Sequence, residues 1–108
     1  MIKKANIYEN LPNKLKDEFF EGLLNYEHFK LERIISKGHS TPQGEWYDQE
    51  RDEWVVLLKG SAALIIEGEE KEIILKPGDH LVLPAHLKHR VAWTDPYNET
   101  FWLALHFK

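Results

Sequence analysis

The chain has 108 residues, 43% of them hydrophobic and 30% charged, with a net charge of −4; this is the scale of one globular domain and excludes a disordered tail. The acidic balance argues against nucleic acid as a partner, because phosphate binders carry a basic excess. There is no cysteine, so disulfides, thiolate zinc sites and cysteine nucleophiles are excluded, and metal or acid–base chemistry falls to six histidines and the carboxylates.

The chain opens on Met1-Ile2-Lys3-Lys4, basic but without the apolar run of a signal peptide. No stretch is apolar for long enough to cross a bilayer. The expected setting is therefore the cytoplasm, with no membrane partner. Pro12 suits a helix start, and Leu15, Phe19 and Leu23, flanked by Phe20 and Leu24, recur at three- and four-residue spacing. This pattern predicts an amphipathic helix over about residues 13–24, within an N-terminal segment 1–26 that covers a sheet.

From residue 27 to 108 the pattern is that of strands. They fall at Phe29–Ile35, Glu53–Leu58, Ser61–Ile66, Lys71–Leu75, His80–Pro84, Lys88–Thr94 and Thr100–Phe107. Loops and turns containing Gly38, Gly44, Gly60, Gly68, Pro77-Gly78 and Asp95-Pro96 separate them. Short strands at regular spacing argue an all-β sandwich or barrel. Val55-Val56-Leu57-Leu58 and Phe101 to Phe107 are apolar on both faces. Such strands need two covers: the barrel interior, and either the helix or a second subunit. A homodimer is the expected assembly.

Two short patterns carry a resemblance. Glu53 and Gly60 stand seven apart. Gly78 is followed by Pro84 six residues on, by His86 two later and by His89 three after that. In this the chain resembles the cupin family over roughly residues 38–107. The implied fold is a small jelly-roll β-barrel, here with one N-terminal helix. Cupins have a His-x-His pair upstream of the Glu, which this chain lacks; its register falls on Tyr47 and Gln49, or on Trp46 and Asp48. His86 stands where the second motif usually has Gly.

The resemblance implies a divalent metal, Fe, Mn, Ni or Zn, with Glu53 and His89 as ligands by position and Asp48 and Gln49 as further oxygen donors. Strand alternation puts Glu53 with Val55 and Leu57, and His89 with Val91 and Trp93, on faces that point inward. A buried Glu and His need a partner, whether each other, water or a metal. His106 shares parity with Trp102 and Ala104 and offers a third imidazole. His86, Tyr47 and Trp93 are further pocket candidates, and an aromatic-lined pocket suits a small organic ligand. Arg90 has the wrong parity to join it, and Arg33 or Lys88 could meet an anion only if turned inward. No Gly-x-Ser-x-Gly, P-loop or dinucleotide fingerprint is present. Two functions are consistent with these residues: a metal-dependent oxygenase or an isomerase acting in the barrel, and a non-catalytic module that binds or senses a small molecule without metal.

Overall fold

The structure is a computed structural model and describes residues 1–12 and 16–108. Among the described residues there are eight strands and no helix. They are β1 (Phe19–Asn25), β2 (Phe29–Ser36), β3 (Asp52–Lys59), β4 (Ala62–Ile66), β5 (Ile73–Leu75), β6 (His80–Leu83), β7 (His89–Thr94) and β8 (Thr100–Phe107). A five-stranded sheet runs β1-β2-β8-β3-β6 and a three-stranded sheet runs β5-β4-β7, with every pairing antiparallel. The core lies between the two sheets. Ile34, Val55, Leu57, Leu83, Trp102 and Ala104 come from one, and Ala62, Leu64, Ile66 and Leu75 from the other.

The seven strands expected after residue 27 are all present. β3 shows why: Glu53, Val55 and Leu57 are buried while Trp54 and Val56 are half-buried, which is the period of two that a sheet imposes. The turn before β6 is seated on β3. Gly78 N–H donates to Leu57 O at 2.7 Å, and Leu57 N–H donates to Asp79 O at 3.0 Å.

The predicted N-terminal helix is wrong. Residues 19–25 form β1, paired with β2 from Phe19↔Ile35 to Asn25↔Lys30; residues 13–15 of the expected helix lie outside the described residues. The apolar pairs Phe19-Phe20 and Leu23-Leu24 are four apart and imitate a helical stripe. Their spacing has another origin. The register shifts between Gly22 and Leu24, so Leu23 is an extra residue, and a bulge of this kind breaks the alternation that would have marked a strand. Gly22 is also a poor mid-helix residue, and β2 offers the segment a full ladder of backbone partners.

The outer cover that the helix was expected to provide comes from an irregular segment instead. Residues 7–10 lie over the outer face of β2 and β8. Arg33, 2% exposed, donates to Ile7 O at 2.8 Å, Glu9 O at 2.6 Å and Asn10 O at 3.2 Å. Its guanidinium also pairs with Glu21 at 3.0 Å. Tyr8 packs on Phe101, with ring centroids 5.3 Å apart. No helix among the described residues is long and apolar enough to cross a membrane.

Candidate functional site

The interior face of the five-stranded sheet is polar at one end. β2 contributes Glu32, β3 contributes Glu53 and β8 contributes His106, while Glu18 and Phe20 approach from the start of β1. β7 supplies His89 and Val91, and the loop before β3 supplies Tyr47 and Gln49. These residues line one cavity of about 60 Å³, walled otherwise by Ile34, Val55, Leu64, Leu83 and Trp102.

Backbone pairing places the loop residues. Tyr47 and His89 form an antiparallel bridge, with Tyr47 N–H to His89 O at 2.8 Å and His89 N–H to Tyr47 O at 3.2 Å. The two rings stack at 5.6 Å. This settles the register of the missing His-x-His: Tyr47 and Gln49 take the inward positions. Asp48 points the other way and bonds His86 Nδ1 at 2.8 Å on the exposed side. Asp48 and His86 therefore lie outside the pocket. His86 has φ 64°, the left-handed backbone that explains why glycine usually stands there.

Trp93 is also outside. Ala63 pairs with Trp93 but Leu64 pairs with Val91, so Ala92 is an extra residue. The bulge turns Trp93 away from the face shared by His89 and Val91, and its Nε1 donates to Glu72 at 3.3 Å on the surface. Of the residues expected in the site, Glu53, His89, Gln49, Tyr47 and His106 are brought together. Asp48, His86 and Trp93 are not.

Two imidazole–carboxyl pairs define the chemistry. His89 Nδ1 donates to Leu87 O at 2.9 Å, because a carbonyl can only accept. In the neutral ring this leaves Nε2 as an acceptor, facing Glu53 Oε1 at 3.8 Å. That gap is too wide for a direct hydrogen bond. Burial pushes the Glu53 carboxyl above the ordinary range, opposed by His106 and His89. In the second pair His106 Nε2 lies 2.9 Å from Glu32 Oε1. That hydrogen bond holds Glu32 below its ordinary range and raises His106 above its own. Burial also raises Glu18, which accepts from Ser36, whose hydroxyl in turn accepts from Trp102 Nε1 at 3.3 Å.

Sequence reasoning did not assign Glu18 and Glu32 to the site. Glu32 has the same parity as Ile34 and Ser36, which was a usable signal. Its partner His106 is 74 residues away, and only the β2–β8 pairing reveals it. Glu18 was hidden by the helical reading of its segment.

Residues 33–105 match the family described as Cupin domain, and the chain belongs to the cupin family. It is 45% identical to a protein of Ralstonia eutropha JMP134, provisionally named a mannose-6-phosphate isomerase, over 99% of both chains with a TM-score of 0.94. An RmlC-like cupin with a double-stranded β-helix fold from Methanocaldococcus jannaschii matches at 22% identity, over 99% of this chain and 92% of that one, with a TM-score of 0.70. A cupin superfamily protein from Desulfitobacterium hafniense DCB-2 matches at 17% identity, over 90% and 83%, with a TM-score of 0.72. These last two speak to the fold alone. No curated protein matches the chain.

Membership of this family raises the question of a divalent metal. Among the described residues, no three His, Asp or Glu side chains are placed to hold an ion. The physical reason is local: Tyr47 and Gln49 occupy the two upstream positions, Asp48 faces away, and His106 Nε2 is engaged by Glu32. The residues present do not fit a metal in this arrangement.

Proposed function

We propose that this cupin binds a small polar organic molecule in its interior cavity and moves a proton within it, as an isomerase of hydroxycarbonyl compounds does. The observation that carries the reading is the pair of imidazole–carboxyl couples, His89 with Glu53 and His106 with Glu32, opening on one otherwise apolar cavity. The isomerase label of the 45% identical relative points to the same reaction class.

The chemistry needs a base and an acid. A carboxyl raised by burial is suited to take a proton from carbon beside a carbonyl near neutral pH, and Glu53 fits that role. The proton shared between His106 Nε2 and Glu32 can pass to the carbonyl oxygen, which gives this couple the acid role. Delivering the proton taken by Glu53 to the former carbonyl carbon, and taking one from the hydroxyl on the carbon that lost it, moves the carbonyl to the neighbouring carbon with no net change in charge; the old carbonyl oxygen keeps its proton as the new hydroxyl. His89 orients the reacting group through its Nε2. A non-catalytic binding role uses the same cavity without turnover.

The test is proton exchange in D2O, followed by NMR on a panel of small hydroxycarbonyls, both free and phosphorylated. Enzyme-dependent incorporation of deuterium at carbon, lost in Glu53→Gln while the fold is kept, is expected. Binding detected by a rise in melting temperature with no exchange for any bound compound would favour the non-catalytic role. β1 is an edge strand with Phe20, Leu23 and Leu24 exposed, and Tyr26 is exposed just beyond its end. The expected homodimer would cover this edge, and light scattering at micromolar concentration tests it.

A further inference from the structure

The cavity has an unusual charge inventory. Its lining holds three carboxyls, Glu18, Glu32 and Glu53, against two imidazoles, and among the described residues no Lys or Arg lines it. The cations nearby all have protein partners, and Lys30 is paired with Glu32 of the lining itself. Arg33 faces the opposite side of the sheet, bonded to Ile7, Glu9 and Asn10 carbonyls and to Glu21. Lys30 sits 3.6 Å from Glu32, Arg51 donates to Glu27 O at 3.0 Å, and Arg90 lies over the Trp46 ring.

Glu53 supplies a separate observation. It is only 7% exposed, it lines the cavity, and among the described residues no hydrogen bond ends on its carboxyl group; His89 Nε2 at 3.8 Å is too distant to count. A mostly buried carboxyl that no protein group bonds takes its donor from whatever fills the cavity. The group that would relieve it must bring O–H or N–H into the gap between Glu53 and His89. His89 Nε2, an acceptor in the neutral ring, asks for the same thing.

We propose, on the reading that this cavity is the ligand site, that its ligand is a small hydrogen-bond donor without negative charge, bearing hydroxyl or amine groups, and that the cavity rejects phosphate esters. The cavity, about 60 Å³, has room for roughly four to six water-sized groups, enough for the hydroxyl- or amine-bearing end of such a ligand. A phosphate would add close to two negative charges to a lining already rich in carboxyls, with no guanidinium or ammonium among the described lining residues, and the Lys30 ammonium beside them is already paired with Glu32.

The experiment titrates the full chain at pH 8 with dihydroxyacetone, ethanolamine and glycerol 3-phosphate, following the ring signals of His89 and His106 by NMR. The proposal expects dihydroxyacetone or ethanolamine to shift both rings saturably, with glycerol 3-phosphate at least tenfold weaker. In Glu53→Gln, ethanolamine should weaken at least tenfold and the gap between neutral and phosphorylated probes should narrow. Glycerol 3-phosphate shifting both rings as tightly as the uncharged probe would overturn the ligand class and leave the cavity as the ligand site. If none of the three shifts either ring, both the ligand class and the cavity reading fall.

Discussion

Replacing Arg33 with Ala should be among the most damaging single changes outside the interior core. The guanidinium is 2% exposed and makes three hydrogen bonds to backbone carbonyls of residues 7–10, plus the 3.0 Å contact to Glu21. Hydrogen bonds from a charged donor are worth about 1.5–3 kcal/mol each when measured by deletion. The full sum is not expected, because Glu9 and Asn10 are exposed and their carbonyls regain water once the segment lifts. Loss of the packed alkyl stem adds to what remains. A destabilisation of about 3 kcal/mol follows, at the lower edge of the range for breaking a buried charged contact. For a domain this size that is a fall of roughly 10–20 °C in melting temperature. Urea titration gives the free energy, and amide exchange at residues 6–10 reports whether the segment detaches. Arg33→Met separates stem packing from hydrogen bonding. Glu21→Ala, which removes a partner that is 41% exposed, should lose less than about 1 kcal/mol. If Arg33→Ala loses under about 1 kcal/mol, or no more than Glu21→Ala, the claim that this side chain fastens the outer cover is refuted.

Three further outcomes are expected. Gly60 has φ 92°, and an added Cβ would stand 2.7 Å from Thr100 Cα and 2.9 Å from Glu99 O; Gly60→Ala should lose about 2–5 kcal/mol from backbone strain and overpacking, and a urea midpoint close to the parent's would contradict this. The Glu32–His106 pair should stabilise the fold most between about pH 4.5 and 6.5. The raised His106 contributes fully below its ordinary 6.5 and fades as pH rises through its folded value, while the lowered Glu32 contributes fully above its ordinary 4.5 and fades as pH falls through its folded value. The stability deficit of Glu32→Gln should therefore peak in that window, and a deficit flat across pH 4–9 would count against the pairing. Elemental analysis after exposure to Fe, Mn, Ni and Zn should find well under one ion per chain; a stoichiometric ion lost in His89→Ala would overturn the donor-set argument.

Much of the site was legible because alternation is a local property. Glu53 precedes Val55 and Leu57 at steps of two, and no later event in β3 disturbs that face before Leu57. His106 follows Trp102 and Ala104 in the same way. Where an extra residue enters a strand, the inference fails. The bulge at Ala92 sends Trp93 to the surface, and the one at Leu23 made β1 look like a helix. Neither bulge has a local signature, since each exists only relative to a partner strand.

The sequence by itself determined the seven strands from Phe29 onward, the turns between them and the meeting of Glu53 with His89. Turn chemistry and two-residue periodicity act over a few residues and are written into the chain directly. Tertiary structure decided the rest. Pairing of β2 with β8 joined Glu32 to His106 across 74 residues, and the Tyr47–His89 bridge turned Gln49 inward and Asp48 outward. Arg33 gathered residues 7–10 over the sheet, where periodicity had suggested a helix. Each of these depends on which backbone groups find one another at long range, and hydrophobic spacing along a single strand does not encode that choice.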